Sequence, residues 1–120
     1  MHEVSIAASI AEGVCEEASK QGVDHVDAVH VRIGAMAGVV KDSLSFAWDV
    51  VVADTLLAGS RLQIEEIPLT VYCPACETER TPTSPAILVC PVCQAPTPRI
   101  LSGREMQVVG MEVSVAVPHR

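Results

Sequence analysis

The cysteines carry the clearest chemical pattern in this sequence. Four of the five form two matched pairs, Cys73-Pro-Ala-Cys76 and Cys90-Pro-Val-Cys93, with thirteen residues between the pairs. A Cys-x-x-Cys turn aims two sulfurs at one point, so two such turns supply the four thiolates of a tetrahedral zinc site. Two disulfides, a redox dithiol and a four-sulfur iron site are alternative interpretations. The doubled motif, the proline after the first cysteine of each pair and a start without a signal-peptide pattern favour zinc.

A zinc ion at these cysteines would keep no open coordination position. All four ligands are sulfur, and the pattern adds no His, Asp or Glu as a base. Catalytic zinc sites instead retain one position for water or substrate. The sequence therefore predicts a structural zinc and a protein that is not an enzyme.

The chain start, Met1-His2-Glu3, offers a second set of metal ligands. The free α-amine, the backbone amide of residue 2 and the His2 imidazole reach one metal through short chelate rings. The amide of residue 3, or the Glu3 carboxylate, completes a planar set of four. Square-planar nitrogen and oxygen ligands suit Ni(II) and Cu(II) better than zinc. These nitrogens lose protons on binding, so the affinity for metal should fall with acidity.

Composition and charge exclude other classes of partner. The 120 residues carry a formal net charge of −7, with eight Lys and Arg scattered along the chain. Nucleic-acid binders need clustered basic residues, so nucleic acid is not expected as a partner. No apolar run has the length of a membrane span. We expect a cytoplasmic protein, where reduced thiols bind metal in preference to forming disulfides.

Hydrophobic periodicity predicts an α+β fold. Helices are expected over residues 4–20 and 43–55, and strands over 26–33, 61–65 and 105–117. The predicted architecture is two helices on a small three-stranded sheet, with a zinc-ribbon module inserted before the last strand. The predicted domains are 1–67 with 103–120, which contains the N-terminal set of metal ligands, and 68–102, which is the zinc ribbon.

Several single residues have less specific interpretations. Cys15 is expected to be a small core residue of the first helix, and Trp48 an anchor of the core. His25 and His30 are interpreted as solvated histidines. The segment 77–86, between the cysteine pairs, contains prolines and is predicted to be a surface loop.

The sequence resembles the HypA/HybF family of hydrogenase nickel metallochaperones along essentially its whole length. The resemblance rests on the N-terminal Met-His-Glu, on both cysteine pairs and on three further segments, which are Val31-Arg-Ile-Gly34, Ser43-Leu-Ser-Phe46 with Val50-Val51, and Val109-Gly-Met-Glu112-Val. It implies nickel binding at Met1, His2 and Glu3, and structural zinc at the four cysteines. The implied function is delivery of nickel during maturation of [NiFe]-hydrogenase.

The resemblance also implies partners, which are the nickel-handling GTPase HypB and the hydrogenase large-subunit precursor. Without it, a zinc-ribbon interaction module that transfers no nickel explains the cysteines equally well. The sequence is compatible with a monomer or a homodimer. It is also compatible with nickel delivery to hydrogenase, to urease or to both. His25 and His119 are candidates for further nickel ligands by elimination alone.

Overall fold

The computed structural model describes residues 2–114 and has the predicted α+β fold. The described residues contain two α-helices and six strands. Along the chain their order is α1 (Glu3–Lys20), β1 (Ala28–Gly34), α2 (Lys41–Val51), β2 (Arg61–Ile67), β3 (Thr70–Cys73), β4 (Thr78–Arg80), β5 (Arg99–Ser102) and β6 (Met106–Glu112). They form two three-stranded sheets, ordered β2-β1-β6 and β4-β3-β5. Among residues 2–114, no helix combines the length and apolar character needed to cross a membrane.

The chain divides into two compact units. One contains the residues up to Val31, Val39–Ile64 and the residues from Val108 onward, and the other contains Arg32–Gly38 and Glu65–Gln107. The first unit includes both helices, and the second includes the four paired cysteines.

Helix α1 buries a narrow stripe of small side chains. Ala7, Ala11, Val14 and Ala18 recur at helical spacing and are at most 5% exposed. Small residues let the helix backbone pack closely, which compensates for the shortage of aromatic side chains. Cys15 lies at the margin of this stripe and is only half-buried, so its prediction as a core residue is wrong.

Helix α2 begins and ends earlier than predicted, at Lys41 and Val51 instead of 43 and 55. The end has a local cause. The Thr55 hydroxyl donates to the Val52 carbonyl at 2.9 Å and accepts from the Leu57 amide at 3.0 Å, which offers the backbone a turn instead of a further helical turn. Trp48 is confirmed as a core anchor, fully buried with its indole N–H donating to the Ser60 hydroxyl at 3.0 Å.

Strand β1 alternates as predicted, with Val29, Val31 and Ile33 buried. His30, on its other face, is half-buried, and its Nε2 contacts the carboxylate of Glu112. With 37% of its side chain exposed, His30 is partly solvated as predicted, and its carboxylate partner was not predicted. Residues 115–117 of the predicted last strand lie outside the described residues.

In the second unit, the segment predicted as a surface loop contains a strand. Thr78–Arg80 forms β4, which pairs antiparallel with β3 in the register Cys73↔Thr78 and Val71↔Arg80.

Gly34 also lies in this unit. A Cβ at Gly34 would come within 2.1 Å of the Gly103 backbone, so only glycine fits there.

Candidate metal centres

The structure brings the four paired cysteines into one cluster. Their sulfur atoms all lie within 4.8 Å of one another, with Sγ–Sγ distances of 3.5 Å for Cys73–Cys93 and 4.0 Å for Cys76–Cys90. Zn–S bonds of about 2.3 Å place the sulfurs of a tetrahedral site about 3.8 Å apart. The measured distances lie on either side of that value, so the cluster fits a four-coordinate metal ion.

The two cysteine turns are built alike. In the first, the Cys76 amide donates to the Cys73 sulfur at 3.3 Å, and in the second the Val92 amide donates to the Cys90 sulfur at 3.4 Å. Amide donors stabilise negative charge on sulfur. The residue that follows each pair adopts the left-handed backbone conformation, which turns the chain away from the sulfurs. These residues are Glu77, with φ of 55°, and Gln94, with φ of 60°.

The sulfurs differ in exposure and acidity. Cys73 and Cys90 are fully buried, Cys76 is half-buried and Cys93 is exposed. Burial opposes ionisation of Cys90, but amide hydrogen bonds from Cys93 and Val92 outweigh it and lower the pKa to about 6. At Cys93 the Ala95 amide favours the thiolate, yet the hydrogen bond with the neighbouring sulfur of Cys73 raises the pKa to about 12. A divalent cation at the centre would relieve this competition for negative charge.

Sequence reasoning missed one residue of this cluster. The sulfurs of Cys76 and Cys90 raise the pKa of the Arg80 guanidinium. A segment containing prolines gave no period-two pattern long enough to predict a strand. The position of Arg80 in a strand next to β3 therefore became evident only from the pairing of β4 with β3.

At the other candidate site, His2 and Glu3 occupy different environments. His2 is exposed at the N-cap of α1, and its carbonyl accepts the first helical hydrogen bond, from the Ile6 amide at 2.9 Å. Glu3 is only 8% exposed, and its carboxylate accepts a hydrogen bond from the Val40 amide at 3.2 Å. Amide donors from Val40 and from Glu3 itself lower the pKa of this carboxyl to about 2. Met1 lies outside the described residues.

Two of the remaining histidines pair with carboxylates, and the third is not described. The His25 imidazole pairs with Asp27 at 3.1 Å, and His30 pairs with Glu112, all within the first unit. His119 lies outside the described residues. The ion-pair partners of His25 and His30 are therefore Asp27 and Glu112, neither of which is a candidate nickel ligand.

Comparison with known proteins identifies the family. Residues 1–113 match the model of HypA, described as "Hydrogenase/urease nickel incorporation, metallochaperone, hypA". The chain belongs to the HypA family. It is therefore a hydrogenase/urease nickel-incorporation metallochaperone, and it is not an enzyme.

Individual HypA proteins match over nearly their full length. The hydrogenase maturation factor HypA of Chloroflexus aurantiacus (strain J-10-fl) is 46% identical over 112 residues, covering 93% of this chain and 98% of the relative. The HypA of Roseiflexus sp. (strain RS-1) is 44% identical over 118 residues, covering 98% and 96%. The solution structure of the nickel metallochaperone HypA from Helicobacter pylori has a TM-score of 0.61 and 25% identity, covering 94% of this chain and 97% of that one.

Proposed function

We propose that this chain carries Ni(II) at its N-terminus and delivers it during maturation of [NiFe]-hydrogenase. The observation that carries the proposal is the placement of His2. Its side chain is exposed immediately before the first helical turn, in a chain whose family incorporates nickel. An exposed site suits a carrier, because a recipient must reach the metal before the carrier releases it.

The environment of Glu3 distinguishes between its two potential donors. Its carboxylate is buried against the Val40 amide, so metal binding through that group would break a contact between the start of α1 and the start of α2. The backbone nitrogen of Glu3 lies in the first turn, where a helix supplies no carbonyl acceptor. The proposed ligands are therefore the Met1 amine, the His2 amide and imidazole, and the Glu3 amide, with the Glu3 carboxylate positioning the segment.

We propose zinc as the resident metal of the four cysteines. Cys73, Cys76, Cys90 and Cys93 would hold it, and the ion would supply a structural cross-link between the two turns. Four thiolates and no nitrogen or oxygen ligand suit zinc better than Ni(II), which is favoured by planar nitrogen sets. The predicted division into a nickel domain, 1–67 with 103–120, and a zinc ribbon, 68–102, assigns one metal to each. Reduced thiols are consistent with the cytoplasm.

The proposed partners are the nickel-handling GTPase HypB and the hydrogenase large-subunit precursor. The rival interpretation, a zinc-ribbon interaction module without nickel, accounts for the cysteine cluster alone. Membership of a nickel-incorporation family favours the carrier, since the match begins at residue 1 and includes His2.

Calorimetric titration with Ni(II) tests the proposal on chains with a free, untagged N-terminus. The His2→Ala variant should bind Ni(II) at least about 100-fold more weakly, because it loses a ligand and a chelate ring. His25→Ala is the matched control, since His25 is exposed and pairs with Asp27, and it should bind like the wild type. One residue added before Met1 should also weaken binding, because it displaces the amine. Equal affinity in the wild type and His2→Ala would refute the N-terminal site.

A further inference from the structure

A groove lies between α1 and β6 in the first unit. Its volume is about 560 Å³, and its walls come from one helix and one strand. The helix contributes Gly13, Val14, Glu17 and Gln21, and the strand contributes residues 108–111. All of these residues belong to the first unit, and none of them is a candidate metal ligand.

The groove follows the outer edge of β6. Side chains of a strand alternate between its two faces, so a groove over one face would be lined by every second residue. Here four consecutive residues, 108–111, line the groove, which places it beside the edge of the strand. Within residues 2–114, β6 is the last strand of the sheet β2-β1-β6 and pairs with β1 alone. Its outer N–H and C=O groups therefore form a row that a further strand can pair with.

Two glycines of the groove have no explanation within the described residues. The other five glycines of the chain have a positive φ or approach a backbone closely, and they are Gly22, Gly34, Gly38, Gly59 and Gly103. Gly13 and Gly110 have neither property, and no described atom lies within 4 Å of the Cβ that another residue would add. Glycine costs about 1 kcal/mol within a helix and also weakens a strand. Both glycines keep space open in the same groove, as a closely approaching backbone would require.

The lining also specifies the chemistry of the occupant. Val108 and Val109 are 46% and 55% exposed, so they offer apolar contact. Glu17 is the charged residue of the lining, and its carboxylate accepts a hydrogen bond from the neutral Gln21 amide at 2.7 Å, which leaves its charge uncompensated. A second copy of this chain carries the same formal charge of −7 and would be repelled. A segment with apolar side chains and a basic residue complements the groove.

We propose that this groove binds an extended segment of a partner protein, which joins the sheet as a strand beside β6 and lies against α1. Strand addition at an exposed sheet edge is a common mode of peptide recognition, in which main-chain hydrogen bonds provide the affinity. A lysine or arginine of the segment would pair with Glu17. The proposal is independent of both metal sites, so its failure would leave the proposed nickel carrier unaffected.

The test uses the full-length chain and three fluorescein-labelled peptides of seven residues. The first peptide alternates valine with threonine and has a lysine at each end. The second has glutamate in place of both lysines. The third is the lysine peptide with every valine and threonine amide N-methylated, so that it cannot donate to a strand. Fluorescence anisotropy measures binding, and amide shifts in ¹⁵N-resolved NMR spectra locate it.

The wild type should bind the lysine peptide, with the largest amide shifts at residues 108–111. The glutamate peptide should bind at least about fivefold more weakly, because its charge repels Glu17. The N-methylated peptide should bind at least about tenfold more weakly, because it has lost its main-chain donors.

Two variants of the chain test the groove itself. Gly13→Leu should weaken binding of the lysine peptide at least about tenfold without lowering stability, because leucine fills the groove and favours the helix. Ala8→Leu is its matched control, since Ala8 is exposed on α1 outside the groove. Glu17→Gln should remove most of the preference for lysine over glutamate ends, whereas Glu12→Gln, at an exposed position of the same helix, should keep it.

Several results would overturn the inference. These are equal binding of the lysine and N-methylated peptides, wild-type affinity in Gly13→Leu, and amide shifts that lie outside the groove. Absence of binding to the wild type would also contradict it. Sedimentation of the chain without peptide tests the other occupant, since a wild-type dimer that Gly13→Leu dissociates would assign the groove to a second copy.

Discussion

Replacing Trp48 with Phe tests whether the core of the first unit supports the N-terminal site through stability alone. Trp48 is fully buried on α2, and its indole N–H donates to the Ser60 hydroxyl, which is 4% exposed. The same helix begins beside Val40, whose amide holds the Glu3 carboxylate. Loss of the indole should therefore weaken the unit that presents His2 without removing a metal ligand.

The magnitude follows from two terms. A phenyl ring lacks about two apolar groups of the indole, which lowers the free energy of unfolding by about 1.5 kcal/mol at ~0.8 kcal/mol per group. The Ser60 hydroxyl loses its buried partner, which removes about 1–2 kcal/mol more. The expected total is about 3 kcal/mol, or a fall of about 12–24 °C in the melting temperature of a unit of this size.

Circular dichroism during urea unfolding measures this change, since the variant lacks the tryptophan needed for fluorescence. Ser60→Ala should lower the unfolding free energy by about 1.5 kcal/mol, and the double variant should show a coupling energy of at least about 1 kcal/mol. Ni(II) affinity, measured well below the melting temperature, should stay within about twofold of wild type. A loss below about 1 kcal/mol in Trp48→Phe, or additive single variants, would refute the reasoning.

Two further predictions concern individual residues of the fold. The folded-state pKa of Glu3 is about 2 against 4.5 for the ordinary value, so its stabilising contribution is complete above pH 4.5 and is lost as the pH falls toward 2. Glu3→Gln keeps an acceptor for Val40 but has no such titration, so its melting temperature should depend less on pH in this window, and parallel profiles would contradict the assignment. Gly34→Ala should lower the unfolding free energy by about 3 kcal/mol or more, because its Cβ would overlap the Gly103 backbone. Gly13→Ala, in α1 with open space around its Cβ, should instead raise stability by about 0.5–1 kcal/mol, and a similar loss in both variants would rule out the steric explanation.

Patterns short enough to be local were predictable from the sequence. The helix of residues 4–20 follows from apolar side chains at helical spacing, and β1 follows from period-two alternation, because each pattern reflects the geometry of a single element. The convergence of the four cysteines followed from their spacing, since a Cys-x-x-Cys turn brings its two sulfurs together wherever it occurs. The ligand assignments at His2 and at the cysteines remain predictions.

Features that depend on pairing between distant segments were not predictable. His30 and Glu112 are 82 residues apart, and Glu3 and Val40 are 37 apart, so neither contact leaves a local signal. Arg80 lies opposite Val71 through the β3–β4 pairing, which no local pattern indicates.

The chain by itself therefore determined which residues can bind metal, because ligand chemistry belongs to the side chain and to short covalent spacings. The tertiary structure decided which of those groups are available. It buried the Glu3 carboxylate, left His2 and Cys93 exposed, and paired the strand of Arg80 with β3. Burial, strand register and the distances between charged groups depend on contacts between segments that are far apart in the sequence. No single stretch of sequence therefore determines them.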